Sequence, residues 1–126
     1  MRFMMLVKAD QNYEAGAPPT PELMAAIGKL GEEMFRTGVM TEMGGLAPTS
    51  KGARLRLSRG KVSATDGPFV ETKEIIGGYA ILQAKSREEA VELGKRFLQV
   101  HADVMGSSYE LELEVRQLYD PPPSGR

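Results

Sequence analysis

Two short runs of this chain, Phe3–Val7 and Tyr79–Leu82, are apolar at every position rather than at every second one. Successive side chains of a strand point to opposite faces of its sheet, so both runs need shielding from water on two sides. The chain offers two helical stripes to do this. Leu23, Ile27, Leu30 and Met34 recur at helical spacing, with Thr20 as N-cap, Pro21 at the first helical position and Gly38 as the stop. Gly28 and Gly31 lie within that helix and leave room for another backbone to approach. Ala90, Leu93 and Phe97 form the second stripe, opened by the capping box Ser86-Arg87-Glu88-Glu89. Lys95 and Arg96 suit the C-terminal dipole of that helix. Two helices cover only one face of a sheet, and the other face calls for a partner.

The remaining segments complete the plan. Val39–Leu46 reads as a strand broken near its end by Gly44-Gly45. Ala53, Leu55 and Leu57 alternate with Arg54, Arg56 and Ser58, the pattern of a half-buried strand, and Arg59-Gly60 turns it into Lys61–Thr65 as a hairpin. Tyr109, Leu111, Leu113 and Val115 alternate with Glu110, Glu112, Glu114 and Arg116 in the last strand. The order is strand, helix, strand, hairpin, strand, helix, strand. That is an α+β, ferredoxin-like βαββαβ plan with an extra β-hairpin. The uncovered sheet face predicts a homodimer with sheets facing, since symmetric dimers are the commonest oligomers. Residues 1–119 are expected to form a single domain, and residues 120–126, rich in proline, a flexible tail.

Composition narrows the function. Sixteen basic residues against 17 acidic ones leave no cationic excess for direct nucleic-acid or anionic-membrane binding. There is no cysteine and one histidine, so thiolate chemistry and a multi-histidine metal site within one chain are excluded. Scattered carboxylates form no recognisable metal ligand set. Gly77-Gly78 sits in no phosphate-loop pattern, and no cofactor is expected. No apolar run reaches the ~20 residues of a membrane span, and Met1–Lys8 is too short for a signal peptide, so the expected location is cytoplasmic.

The segment Thr65–Glu74 concentrates constraint and charge. An Asp66 carboxylate would ordinarily accept the amide two residues on, but that residue is Pro68, which has no N–H. Asp66 must therefore bond Phe69 or a later amide, bond something else, or face solvent. Glu71, Lys73 and Glu74 follow, a Lys-tuned carboxylate set or else a charged strand edge. Glu71 and Lys73 share a face if the segment is extended.

The run Asp66-Gly67-Pro68-Phe69-Val70-Glu71-Thr72-Lys73-Glu74 resembles the signature of the DGPF proteins, a branch of the YciI-like (YCII-related) family, with Val70 where alanine is usual. The opening Met1–Met5, the Ser50–Arg54 turn and the closing Glu114–Gln117 are similar to one subgroup, so the resemblance covers about residues 1–119. It implies a dimeric α+β barrel. It also implies two kinds of role. The wider family is associated with a His–Asp pair in a cleft, and a few relatives process chlorinated or muconate-type ring-cleavage products; there the histidine lies early and the aspartate after the second helix. Here the histidine is His101, with Asp103 close by, after the second helix by its spacing. Some DGPF proteins are linked to extracytoplasmic-function sigma factors, which implies a regulatory partner. Most of the family has no established activity.

Two functional readings follow. In the first, the chain is a small dimeric enzyme doing cofactor-free acid–base chemistry on a small organic acid, in a mostly apolar pocket between sheet and loops. Asp66 and His101 would be catalytic, and Tyr79, Glu71, Lys73 and Arg54 would bind the small-molecule ligand. In the second it is a non-catalytic ligand-sensing or protein-binding accessory domain linked to a sigma factor. Each residue also has a plainer role: Asp66 as a loop cap, His101 at a helix end, Tyr79 in the core, and Arg54 paired across strands with Glu110, Glu112 or Glu114.

Overall fold

The computed structural model describes residues 1–9, 16, 18–69 and 75–119. In chain order the elements are β1 (Arg2–Lys8), α1 (Pro21–Arg36), β2 (Met40–Gly45), a short 3-10 turn (Thr49–Lys51), β3 (Ala53–Ser58), β4 (Lys61–Asp66), β5 (Ile76–Gln83), α2 (Arg87–Met105) and β6 (Leu113–Gln117). Four strands form one sheet in the order β2-β5-β1-β6, with every neighbouring pair antiparallel. This mixed α+β arrangement is compatible with the ferredoxin-like plan. The two strands that are apolar on both faces, β1 and β5, occupy its centre.

Register fixes which side chains share a face. Phe3 lies opposite Leu82 and Met5 opposite Ala80, and all four are buried. They pack with Met40, with Leu30 and Met34 of α1, and with Ala90 and Phe97 of α2, so both helices lie on this side. Met4 opposite Ile81 and Leu6 opposite Tyr79 point to the other side, where they are half-buried. Gly94 lets α2 settle onto β6, since a Cβ there would stand 3.2 Å from Leu113 Cδ1. Gly31 makes room for the Met43 side chain, 3.2 Å from where its Cβ would be, rather than for a second backbone.

The helix ends follow their caps. Thr20 Oγ1 accepts the Leu23 amide at 3.2 Å, and Gly38 closes α1 with φ 78°. Ser86 Oγ accepts the Glu89 amide at 3.1 Å, while the Glu89 carboxylate takes the Lys85 amide, one residue before the expected reciprocal partner. α2 runs on to Met105, where Gly106 at φ 90° ends it. His101 therefore lies inside the helix rather than after it. Lys95 and Arg96 are mid-helix, where Lys95 pairs with Glu92 at 3.0 Å and Arg96 reaches Glu33 of α1 at 3.1 Å. β6 begins only at Leu113; Tyr109–Glu112 keep the alternating burial, and the Glu112 carbonyl accepts the Lys8 amide at 3.0 Å.

The hairpin departs most from expectation. β3 and β4 form a separate two-stranded sheet, turned by Arg59 and Gly60 with φ 52° and 77°, as a tight two-residue hairpin loop requires. Its alternation suggests a half-buried strand, yet every residue of both strands is exposed, including Leu55, Leu57 and Val62 at 71–72%. The sheet partner of β6 is β1, so the expected cross-strand pairing of Arg54 with the β6 carboxylates does not form within the chain.

Candidate functional site

The loop from Asp66 onward has an architectural job. Gly67 donates its amide to the Gly52 carbonyl at 3.0 Å, extending the hairpin ladder by one rung beyond Ala53–Asp66. The Gly67–Pro68 peptide is cis, and Gly67 passes so close to the Thr49 carbonyl that a Cβ there would overlap it. The Phe69 amide, which the sequence offered to Asp66, donates instead to Thr49 Oγ1 at 3.1 Å. The Arg54 guanidinium lies 4.1 Å from the Phe69 ring centroid, a cation–π contact. The Asp66 side chain is left exposed, with no hydrogen bond or ion pair among the described residues. Thr49 is the residue that sequence reasoning missed. No local signal identifies it, because it acts across 20 positions.

Tyr79 sits on the sheet face away from the helices. β2 pairs with β5 so that Gly44 lies opposite Tyr79 and Glu42 opposite Ile81. Both β2 residues therefore share Tyr79's face. The ring lies over Gly44, where a Cβ would meet Tyr79 Cε1 at 2.9 Å, and the phenol donates to Glu42 Oε2 at 2.7 Å. This raises the phenol pKa above its ordinary 10.0: first through the hydrogen bond, then through the Glu42 charge, and last through desolvation. Glu42 is a second site residue that the sequence did not mark. Its signal was an acidic strand residue two positions before Gly44-Gly45, which the register lays opposite Tyr79 and Gly78.

Met4, Leu6 and Ile81 form an apolar floor beside this pair. On its far side Lys8 Nζ lies 3.9 Å from Glu114 Oε1, and Arg116 Nε is 4.0 Å from Glu114 Oε2. The face thus presents a carboxylate–phenol pair at one edge, apolar surface in the middle and cations with a carboxylate at the other.

His101 lies elsewhere. It is buried on α2, with Nδ1 2.9 Å from the Phe97 carbonyl, so Nδ1 carries the proton and donates. Its ring is near-parallel to Tyr109, with centroids 6.1 Å apart, and 4.6 Å from the Phe97 ring. The sheet stands between His101 and Tyr79, so the structure does not bring them together in one protomer. Asp103 bonds Gln99 at 2.8 Å and does not orient the imidazole. Glu71 and Lys73 lie outside the described residues. Among those described, a shallow depression on α1 is lined by Lys29, Glu32, Glu33 and Arg36, none of them expected site residues. No group of three or more potential metal ligands occurs among the described residues, and no helix there is long and apolar enough to cross a membrane.

An uncharacterized protein of Rhizobium meliloti (strain 1021) is 29% identical over 89 residues, covering 71% of this chain and 70% of that protein. The family model of the YCII-related domain matches residues 1–111, from the first strand of the sheet to the approach to the last, and the chain belongs to that family.

Proposed function

We propose that this chain is a DGPF-branch member of the family that works as a homodimer. Facing sheets complete a dimeric α+β barrel and enclose a site for a small organic acid. The observation that carries the reading is the Tyr79–Glu42 bond, set on the sheet face that neither helix covers. Glu42 is the base and Tyr79 its positioning donor, Lys8 and Arg116 draw the ligand's carboxylate, and Met4, Leu6 and Ile81 take its apolar part. A second copy would exclude water from this face and so strengthen each polar interaction there. The chemistry is proton transfer without a cofactor, such as isomerisation or elimination. Asp66, from the hairpin base, is a further catalytic candidate. His101 is assigned to packing.

The second reading is a ligand-sensing or protein-binding accessory domain linked to a sigma factor. What favours it is that Asp66, Tyr79 and His101 do not converge within one protomer. A thermal-shift screen of small carboxylic acids, run on the wild type and on Glu42→Gln, separates the two. The enzyme reading expects an acid that stabilises the wild type and is turned over, with turnover lost in Glu42→Gln. Binding without turnover favours the sensor. No stabilising acid at millimolar concentration counts against a pocket on this face.

A further inference from the structure

The β3–β4 hairpin is too small and too exposed to be stable on its own account. An isolated two-stranded hairpin is marginal in water. This one nevertheless carries Leu55, Leu57, Val62 and Ala64 on one face, all exposed to solvent. Three large apolar side chains cannot supply the ~800 Å² per partner that a stable interface buries, so their cover must be continuous with a larger contact. The outer sheet face is the surface that this chain offers for one.

We propose that the hairpin is an arm that grips a second copy of this chain, along the edge strand β6 and the segment leading into it. This rests on the dimer proposed above and specifies its geometry. The arm is inserted between β2 and β5, so it leaves the sheet at the end where Gly45 pairs with Gly78. Leu113 lies opposite Val7 and Ile76 opposite Lys8, so β6 begins at that same end, on the opposite edge. A two-fold axis running along the strands between facing sheets exchanges the edges and preserves the ends. It brings each arm beside the partner subunit's β6 entry. The charges are also complementary overall: Arg54, Arg56 and Lys61, on the arm face opposite the leucines, and Arg59 at its turn outnumber Asp66, whereas the exposed Glu110, Glu112 and Glu114 outnumber Arg116 along β6 and its approach. Because a two-fold axis relates the copies, the interface is isologous: each arm meets the partner's edge, each edge meets the partner's arm, and assembly closes at two copies.

Sedimentation velocity over a concentration series tests this with Leu57→Asp/Val62→Asp. Both positions are exposed in the protomer, and circular dichroism should show an unchanged fold. The expected result is a wild-type dimer and a variant whose dimer dissociates at least about a hundredfold more readily. A variant that dimerises like the wild type overturns the arm and leaves the facing-sheet dimer standing. A wild-type monomer overturns both, even if the arm then captures some other protein. The edge is tested by mixing two chains, one with Arg56→Glu/Lys61→Glu and the other with Glu110→Lys/Glu112→Lys. Each is repulsive with itself, and in the mixed dimer both contacts become attractive. Preferential heterodimer formation is the expected outcome, and statistical mixing overturns the assignment of the arm to β6.

Discussion

Leu82 and Leu57 both lie on an apolar strand face, yet they end 1% and 72% exposed, respectively. β5 has a neighbour on each edge and helices across one face, so burying its side chains and pairing its backbone are the same event. β3 has one neighbour, and among the described residues nothing covers the leucines of its apolar face. What a strand's pattern means thus depends on what lies across from it. Among the described residues the sheet finds its cover on one face only, and the arm finds none.

The comparison breaks or holds first on truncation. Phe3→Ala removes a ring that is 1% exposed and should cost about 4 kcal/mol in urea-induced unfolding. Leu57→Ala, in protein dilute enough to be monomeric, should cost under about 0.5 kcal/mol. A comparable loss for both would mean that the arm packs within its own protomer. Next comes the junction between the regions. Gly67→Ala sets a methyl group into the Thr49 carbonyl, and backbone cannot yield as a side chain can. A loss of about 3 kcal/mol is expected, with the arm losing amide-exchange protection before the sheet does. A milder probe of the same junction is Thr49→Val, which keeps the shape and removes the acceptor of the Phe69 amide. It should cost about 1 kcal/mol, and no cost would mean that water replaces the hydroxyl.

These sites also show where sequence was sufficient. The sheet body was legible because its signals are local and agree: the caps at Thr20 and Ser86, the stop at Gly38, the turn at Arg59-Gly60, and two strands whose composition places them centrally. The end of α2 was misjudged because Lys95-Arg96 resembles a last turn, whereas each cation serves a carboxylate on the exposed side and the stop is Gly106. The arm's exposure was invisible because alternation reports that a face is apolar and not which chain covers it. Asp66 drew attention for a sound local reason, since Pro68 removes its usual donor. The next donor was already taken by Thr49, a contact across 20 positions that turn chemistry cannot foresee. Glu42 was passed over because its significance depends on the strand register that lays Tyr79 across Gly44.

The smallest expected effect bears on the site itself. Tyr79 has its pKa raised above 10.0 by Glu42, so the folded state holds the phenolic proton more tightly than the unfolded chain does. The stabilising share of the Tyr79–Glu42 bond is therefore fully present below about pH 10 and disappears as pH rises through the higher folded-state value. Tyrosinate absorbance should show one of the four tyrosines ionising later than an ordinary phenol. Glu42→Gln keeps an acceptor but removes the charge, and should move that titration down toward the ordinary range. Gly44→Ala should do the same by displacing the ring rather than the charge. A late titration that ignores both substitutions would belong to another tyrosine and would dissolve the pair. One that responds to Glu42→Gln and moves further up on dimerisation would place the pair inside the enclosed face, because excluding water raises the cost of a second negative charge beside Glu42.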